Sequence, residues 1–158
     1  MLKKILVPLD GSKLAECALP YVEELAAKHV AEEVVLISVT ERIQGFRPIE
    51  DLGTPTEERL APEAVGKMER QAMKYLDRIA KSLEGKGIKV TKEVPLGNPA
   101  EEIIIYAEIK GCDLIAMASH GRGGPSRWVH GSVADRILKA VHVPVMIIRA
   151  PGCAAIGK

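Results

Sequence analysis

Aromatic residues and cysteines are scarce in this chain of 158 residues. Aromatic residues make up 3% of the sequence, so an apolar core has to be built from aliphatic side chains. The three cysteines, Cys17, Cys112 and Cys153, are an odd number and form no CxxC pair. This pattern argues against a disulfide framework and favours reduced thiols in the cytosol.

An excess of charge of one sign is also lacking. The formal net charge is +1 and no run of like charges forms a tail, which argues against a nucleic-acid-binding protein. No apolar run approaches the ~20 residues of a membrane-spanning helix. The N-terminal apolar stretch stops at Pro8 and Asp10, too early for a signal peptide. We therefore expect a soluble, cytoplasmic protein that binds neither nucleic acid nor membrane.

The abundant residues are Val, Ile, Leu and Ala, and they occur in short runs that predict strands buried on both faces. These runs are 4–9, 33–39, 89–95, 114–118 and 143–148. Helical spacing fills the gaps and predicts four helices. One follows Ser12 as N-cap, one spans 60–83, one is capped by Asn98, and one runs from Ser126 or Ser132 to His142.

Strict alternation of strands and helices favours a doubly wound α/β domain, with a parallel sheet and helices on both faces. We expect one domain over residues 1–150 and a flexible C-terminal tail over 151–158. The polar segment 41–55, rich in Gly and Pro, predicts a long, mobile loop after the second strand.

A glycine-rich segment follows the fourth predicted strand. Residues 118–124 read ASHGRGG and lead to Gly131 and Ser132 at the start of the last helix. Glycines let the backbone approach a ligand, and a helix N-terminus presents free N–H groups to an anion. The segment therefore predicts a phosphate cradle, with Arg122 available to neutralise phosphate charge. A plain tight turn is the alternative interpretation.

Two common phosphate motifs are absent. A Walker loop needs Gly-Lys-Ser or Gly-Lys-Thr, and neither tripeptide occurs. The dinucleotide fingerprint GxGxxG has a near match at 121–126, but it lacks the third glycine and follows the fourth strand instead of the first. Asp10, after the first strand, offers a carboxylate to ribose hydroxyls or, through water, to a metal ion. An N-cap for the first helix is its alternative role.

Two stretches of the sequence are similar to a known family. The opening, 4–12, reads KILVPLDGS, and the closing half contains MASHGRGG at 117–124, GSVA at 131–134 and VPV at 143–145. Together they resemble the universal stress protein family over essentially the whole chain. The resemblance implies a fold like that of the adenine nucleotide alpha-hydrolases, with strand order 3-2-1-4-5. It also implies ATP or AMP as ligand, with Mg²⁺, and a homodimer formed through the last strand, 143–148.

The resemblance also implies the positions of the site. Family members that bind ATP carry Gly-x2-Gly-x9-Gly-[Ser/Thr], in which Gly121, Gly131 and Ser132 match, and Ala118 replaces the first glycine. The methyl group of Ala118 either crowds the ligand or points into the sheet. By resemblance, Pro8, Asp10 and the backbone of Val39 line the base and ribose, and Gly121, Gly131, Ser132 and Val133 hold the phosphates.

No catalytic constellation is recognised in the sequence. The four histidines lack the HxxxH spacing of a metal site, and no serine lies in a GxSxG elbow. We therefore expect a stress-response module that acts by ligand-dependent conformation, with at most slow ATP hydrolysis. The alternatives are a nucleotide-free dimer that binds a partner and a true ATP-using hydrolase or transferase.

Overall fold

The computed structural model describes residues 2–41, 62–119 and 132–149. Within these ranges, strands alternate with helices in the order that the sequence predicts. The strands are β1 (Leu2–Pro8), β2 (Ala31–Ile37), β3 (Lys89–Glu93), β4 (Leu114–Ser119) and β5 (Val145–Arg149). The helices are α1 (Leu19–Ala27), preceded by a 3₁₀ turn (Ala15–Ala18), α2 (Pro62–Glu84), α3 (Pro99–Ile109) and α4 (Ser132–Ala140). No helix in these ranges is both long and apolar enough to cross a membrane.

The strands form a parallel sheet in the order β3-β2-β1-β4-β5, which confirms the predicted topology. β1 lies at the centre, where Leu6 pairs with Val35 of β2 and with Ile115 of β4. From β1 the chain winds outward to β3 and then returns to the other side for β4 and β5. The winding therefore reverses between β1 and β4, the position at which sheets of this class bind ligands.

Each face of the sheet carries its own apolar core. Along β1, Ile5 and Val7 belong to one core and Leu6 to the other, and all three are fully buried. α1 and α2 cover the first core, to which α2 contributes Leu76, while α3 and α4 cover the second, to which α4 contributes Ile137. The runs of Val, Ile and Leu in the sequence follow from this arrangement, because a strand buried on both faces has no polar side.

Local sequence signals set both ends of α3. The Asn98 side chain accepts a hydrogen bond from the Glu101 N–H at 3.2 Å, and Pro99 occupies the first turn, where no backbone donor is needed. The helix ends before Gly111, whose φ of +63° is left-handed and suits glycine best. The Asp113 N–H then donates to the Lys4 carbonyl at 2.9 Å, which starts β4 beside β1.

Two local expectations change. The first helical segment begins as a 3₁₀ turn whose N-cap position is Leu14, so the prediction of Ser12 as N-cap is wrong, although Ser12 Oγ accepts a hydrogen bond from the Ala15 N–H at 3.1 Å. The prediction of reduced cysteines is wrong at Cys17, which is disulfide-bonded, whereas Cys112 is a free, buried thiol. An odd number of cysteines excludes complete pairing but not a single bond. The cysteines therefore give no argument for the cytosol.

Candidate functional site

A cleft of about 750 Å³ opens where β1, β2 and β4 reach their carboxyl ends. This volume is within the range of ~300–1,000 Å³ that is usual for small-molecule sites. Pro8, Ile37 and Met117 line it from the strands, and α2, α3 and α4 supply further lining residues. The cleft thus lies at the reversal of the winding, where the sequence predicts the ligand.

Six of the nine predicted site residues line this cleft. Pro8 is the last residue of β1 and Asp10 lies two residues further on. Val39 follows β2, Ala118 lies in β4, and Ser132 and Val133 lie in the first described turn of α4. The other three, Gly121, Arg122 and Gly131, fall outside the described residues, as do most of the glycine-rich segment and the loop positions 42–55. The described lining therefore contains all the residues assigned to the base and ribose. Of the residues assigned to the phosphates, it contains Ser132 and Val133.

The backbone at Val39 is left open by the way in which β1 ends. The Ser38 and Thr40 N–H groups donate to Glu93 and Pro95 on the β3 side, at 3.0 and 2.9 Å. On the β1 side, the last bond runs from the Leu9 N–H to the Ile37 carbonyl at 2.9 Å. Because hydrogen-bonding direction alternates along a strand, the Val39 N–H and carbonyl are directed to the side that β1 has left. The Val39 N–H and carbonyl therefore offer a donor and an acceptor to the cleft, on the side where β1 has ended.

Asp10 is held at the mouth of the cleft by the turn that follows β1. Its Oδ1 atom accepts two hydrogen bonds from Ser12, from the backbone N–H at 2.9 Å and from the hydroxyl at 2.5 Å. Asp10 is not a helix cap, since the N-cap position of the 3₁₀ turn is Leu14, and the Ala15 N–H donates to the Ser12 hydroxyl. Both bonds use the same carboxylate oxygen, so Oδ2 of the exposed Asp10 has its lone pairs available for a ligand hydroxyl.

The charge of the described lining is negative. Asp10 and Glu41 are its charged residues, and no lysine or arginine of the described ranges joins them. Three buried polar residues, Ser38, Thr40 and Ser119, add hydroxyl groups where β2 and β4 end. This part of the cleft suits an uncharged polar group such as a nucleoside better than a bare phosphate, because anions are bound by cations and by helix N-termini.

Helix α2 also lines the cleft, and the sequence analysis does not assign it to the site. Met68, Gln71, Ala72 and Tyr75 lie at intervals of three and four residues and so share one face. The sequence predicts a helix over 60–83, in which Met68 and Ala72 belong to the apolar stripe, and it assigns no residue of that helix to a ligand. The available signal is the pair Gln71 and Tyr75, which places polar groups at the border of that stripe.

Tyr75 carries the one buried side-chain polar atom of the described chain that has no hydrogen-bond partner, its hydroxyl oxygen. Burial raises the pKa of this hydroxyl above its usual range, and the nearby Glu16 and Asp10 carboxylates raise it further. The hydroxyl is therefore protonated at neutral pH, and it makes no hydrogen bond of good geometry, although the Glu16 carboxylate lies within its reach.

Ala118 stands where ATP-binding relatives carry glycine, and its methyl group is half-buried. The residue packs against the core under α1 and α2 while it also borders the cleft. In the register of β4 and β5 it pairs with Ile148. The methyl group is thus accommodated by the sheet and the helix layer, and it takes only part of the cleft wall.

Replacement of Ala118 by glycine is expected to lower stability by about 1 kcal/mol, because a strand glycine adds backbone entropy to the unfolded chain, and to change the affinity for the ATP that the sequence resemblance implies by less than about twofold. Calorimetric titration and thermal unfolding measure the two effects. Ala116→Gly is a matched control, since Ala116 lies in the same strand and core but not at the cleft. A tenfold gain in affinity for A118G would show instead that the methyl group crowds the ligand.

Among the described residues, no group of three His, Cys, Asp or Glu side chains is arranged to hold a metal ion. The acidic residues of the cleft, Asp10 and Glu41, are the positions nearest to such a role.

Fold and cleft together define the class of the protein, a doubly wound α/β domain with a small-molecule cleft at the reversal of its winding. The model of the Universal stress protein family matches residues 1–149. The chain belongs to the universal stress protein family.

The relatives of the chain include two universal stress proteins of Methanocaldococcus jannaschii. MJ0577 is 33% identical over 155 residues, which cover 94% of this chain and 96% of the relative. MJ0531 is 34% identical over 151 residues, which cover 94% of this chain and 83% of the relative. The solved structure of MJ0577 matches with a TM-score of 0.74 at 35% identity and covers 94% of this chain and 96% of that one.

Two more distant solved structures contain adenine nucleotides. One is a universal stress protein in complex with cAMP, with a TM-score of 0.61 at 15% identity, covering 94% of this chain and 97% of that one. The other is a family protein from Arabidopsis thaliana with AMP bound, with a TM-score of 0.60 at 18% identity, covering 93% and 90%. At these identities the likeness shows the shared fold.

Proposed function

We propose that this protein binds an adenine nucleotide, ATP or AMP, in the cleft at the carboxyl ends of β1, β2 and β4. The observation that carries the proposal is the convergence there of Asp10, the open backbone of Val39 and the first described turn of α4. These groups match the three parts of a nucleotide, namely the ribose, the base and the phosphates. Two proteins of the same fold hold AMP or cAMP.

The base and ribose have complementary groups in the cleft. The edge of adenine offers a donor and an acceptor side by side, as do the N–H and carbonyl of Val39. Apolar side chains, Met68 and Val39 among them, provide surfaces for the flat ring. The free Oδ2 of Asp10 accepts from a ribose hydroxyl.

The phosphates would lie toward α4. Ser132 and Val133 present the N-terminal side of that helix, and a hydroxyl, to an anion. Since the described lining has no cation, Mg²⁺ bound with ATP, or arginines such as Arg122 outside the described residues, would supply the positive charge. Gly121, Gly131 and the rest of the predicted cradle belong to this proposal.

The proposal extends to what the bound nucleotide does. We propose that the protein acts through ligand-dependent conformation and dimerisation in a cytoplasmic stress response, and membership of the universal stress protein family supports this role. β5 is an edge strand, with β4 as its neighbour in the described sheet, and an open edge invites pairing with a second copy of the chain. Sedimentation is expected to give twice the monomer mass of 17.1 kDa.

The nucleotide is tested by denaturing the purified protein and identifying any small molecule in the supernatant. Released ATP or AMP in amounts comparable to the protein supports the proposal. A supernatant free of nucleotide, together with no change in melting temperature on addition of ATP or AMP, contradicts it and favours a nucleotide-free dimer that binds a protein partner.

A further inference from the structure

We propose that Tyr75 of α2 donates a hydrogen bond to a ribose hydroxyl of the bound nucleotide, and that Tyr75 and Asp10 together select ribose over deoxyribose. This inference rests on the proposed function, and it assigns to that site a residue and a helix outside the glycine motif. The observation behind it is that Tyr75 lines the cleft, while its buried hydroxyl has no hydrogen-bond partner of good geometry and lies near the Glu16 and Asp10 carboxylates.

A buried hydroxyl without a partner is costly, because its interaction with water is lost and not replaced. A ligand that provides an acceptor would remove this cost in the bound state. Tyr75 lines the same cleft as Asp10, and the two are close enough for the Asp10 carboxylate to influence the Tyr75 hydroxyl. Both groups therefore face the space that the ribose is proposed to fill.

The tyrosine ring is held in place before any ligand arrives. The guanidinium of Arg78, one turn further along α2, lies over the ring at 5.5 Å from its centre. Arg78 is itself tied to Glu16 of the 3₁₀ turn, with 3.5 Å between nitrogen and oxygen. These contacts restrict the motion of the ring and so reduce the entropy lost when the hydroxyl binds a ligand.

The chemistry of Asp10 and Tyr75 is complementary at a ribose hydroxyl. An alcohol donates one hydrogen bond and accepts others. The Asp10 Oδ2 atom is an acceptor only, and the protonated Tyr75 hydroxyl is available as a donor. One ribose hydroxyl placed between Asp10 and Tyr75 donates to the carboxylate and accepts from the tyrosine. A deoxynucleotide that lacks this hydroxyl leaves both side chains unpaired. Sites built in this way reject an analogue that lacks the hydroxyl, because their polar groups are then left unpaired.

The test combines a tyrosine variant with deoxynucleotides. Wild-type protein and Tyr75→Phe are titrated with ATP, 2′-deoxyATP and 3′-deoxyATP in a calorimeter. We expect Y75F to bind ATP roughly two- to tenfold more weakly, the range for loss of one hydrogen bond. We expect the two proteins to bind alike the deoxynucleotide that lacks the hydroxyl contacted by Tyr75, since the two deletions remove the same contact.

Tyr106→Phe is the matched control, because Tyr106 undergoes the same change on α3, bonds to Glu93 and does not line the cleft. It is expected to leave all three affinities unchanged. Melting temperatures without ligand give an independent measurement. Because the variant removes a hydroxyl without a hydrogen-bond partner, we expect the melting temperature of Y75F to equal or exceed that of the wild type.

Three results overturn the inference. Y75F that binds ATP as tightly as the wild type shows that the hydroxyl makes no ligand contact. An equal loss for all three nucleotides places the contact elsewhere than on the ribose. A lower melting temperature with unchanged ATP affinity shows that Tyr75 bonds to Glu16 in the free protein. Absence of binding by the wild type is distinct from these results and contradicts the proposed function itself.

Discussion

ATP binding is expected to weaken roughly 10- to 100-fold when Asp10 is replaced by asparagine, since hydrogen bonds to charged groups contribute about 1.5–3 kcal/mol. Asparagine is nearly isosteric with aspartate, and its carbonyl oxygen can still accept the Ser12 N–H that Oδ1 accepts now. The turn after β1 is therefore preserved, and the variant loses the negative charge that faces the ribose. Calorimetric titration measures the loss, and thermal unfolding verifies that the fold is intact.

Ser12→Ala separates the role of the carboxylate from that of the turn. This variant keeps Asp10 but removes the hydroxyl that donates to its Oδ1 and accepts from the Ala15 N–H. It is expected to lower stability by about 1 kcal/mol, as loss of a hydrogen bond does, and to weaken ATP binding less than D10N. Wild-type affinity in D10N, or a larger loss in S12A than in D10N, would show that Asp10 acts through the turn and not through a ligand contact.

The largest effect on stability is expected from Leu36→Ala, at about 2–5 kcal/mol. Leu36 is fully buried in β2, between β1 and β3, and packs in the core under α1 and α2. Truncation leaves a cavity whose walls are strands and cannot close it. Because about 1 kcal/mol corresponds to ~2–4 °C in a domain of this size, the melting temperature is expected to fall by roughly 5–20 °C.

Ile109→Ala is the control for this prediction. It deletes a similar amount of apolar side chain from α3, but Ile109 is 74% exposed. Alanine also has the higher helix propensity, so the change in stability is expected to stay within about 0.5 kcal/mol. Equal losses in L36A and I109A would contradict the assignment of β2 as a strand buried on both faces.

The sheet and its order could be predicted because burial leaves a direct mark on the sequence. Ile5, Leu6 and Val7 are apolar without a break since β1 is covered on both faces. The ends of α3 were equally visible, because Asn98 and Gly111 perform local tasks that few other residues perform.

The α2 side of the cleft could not be predicted in the same way. Helical periodicity shows which face of a helix is apolar, but not which other element or cavity lies at the border of that face. Tyr75 and Gln71 take part in the cleft because the crossover from β2 to β3 brings α2 across the end of β1. That is a consequence of tertiary packing, which no local pattern contains. The disulfide at Cys17 was missed for a similar reason, since cysteine parity carries no information on distance.

Part of the predicted site stays a prediction. Gly121, Arg122 and Gly131 lie outside the described residues, as do the loop 42–55 and the tail 151–158. The division into one domain, 1–150, and a tail also stays a prediction. The described residues contribute the base and ribose side of the proposed site, and it is on that side that the variants above act.

Titration of ATP into the nucleotide-stripped wild-type protein tests the central proposal most directly. We expect saturable binding with one ATP per chain, and competition by AMP for the same site. Absence of detectable heat and of any shift in melting temperature at millimolar ATP would contradict nucleotide binding in this cleft.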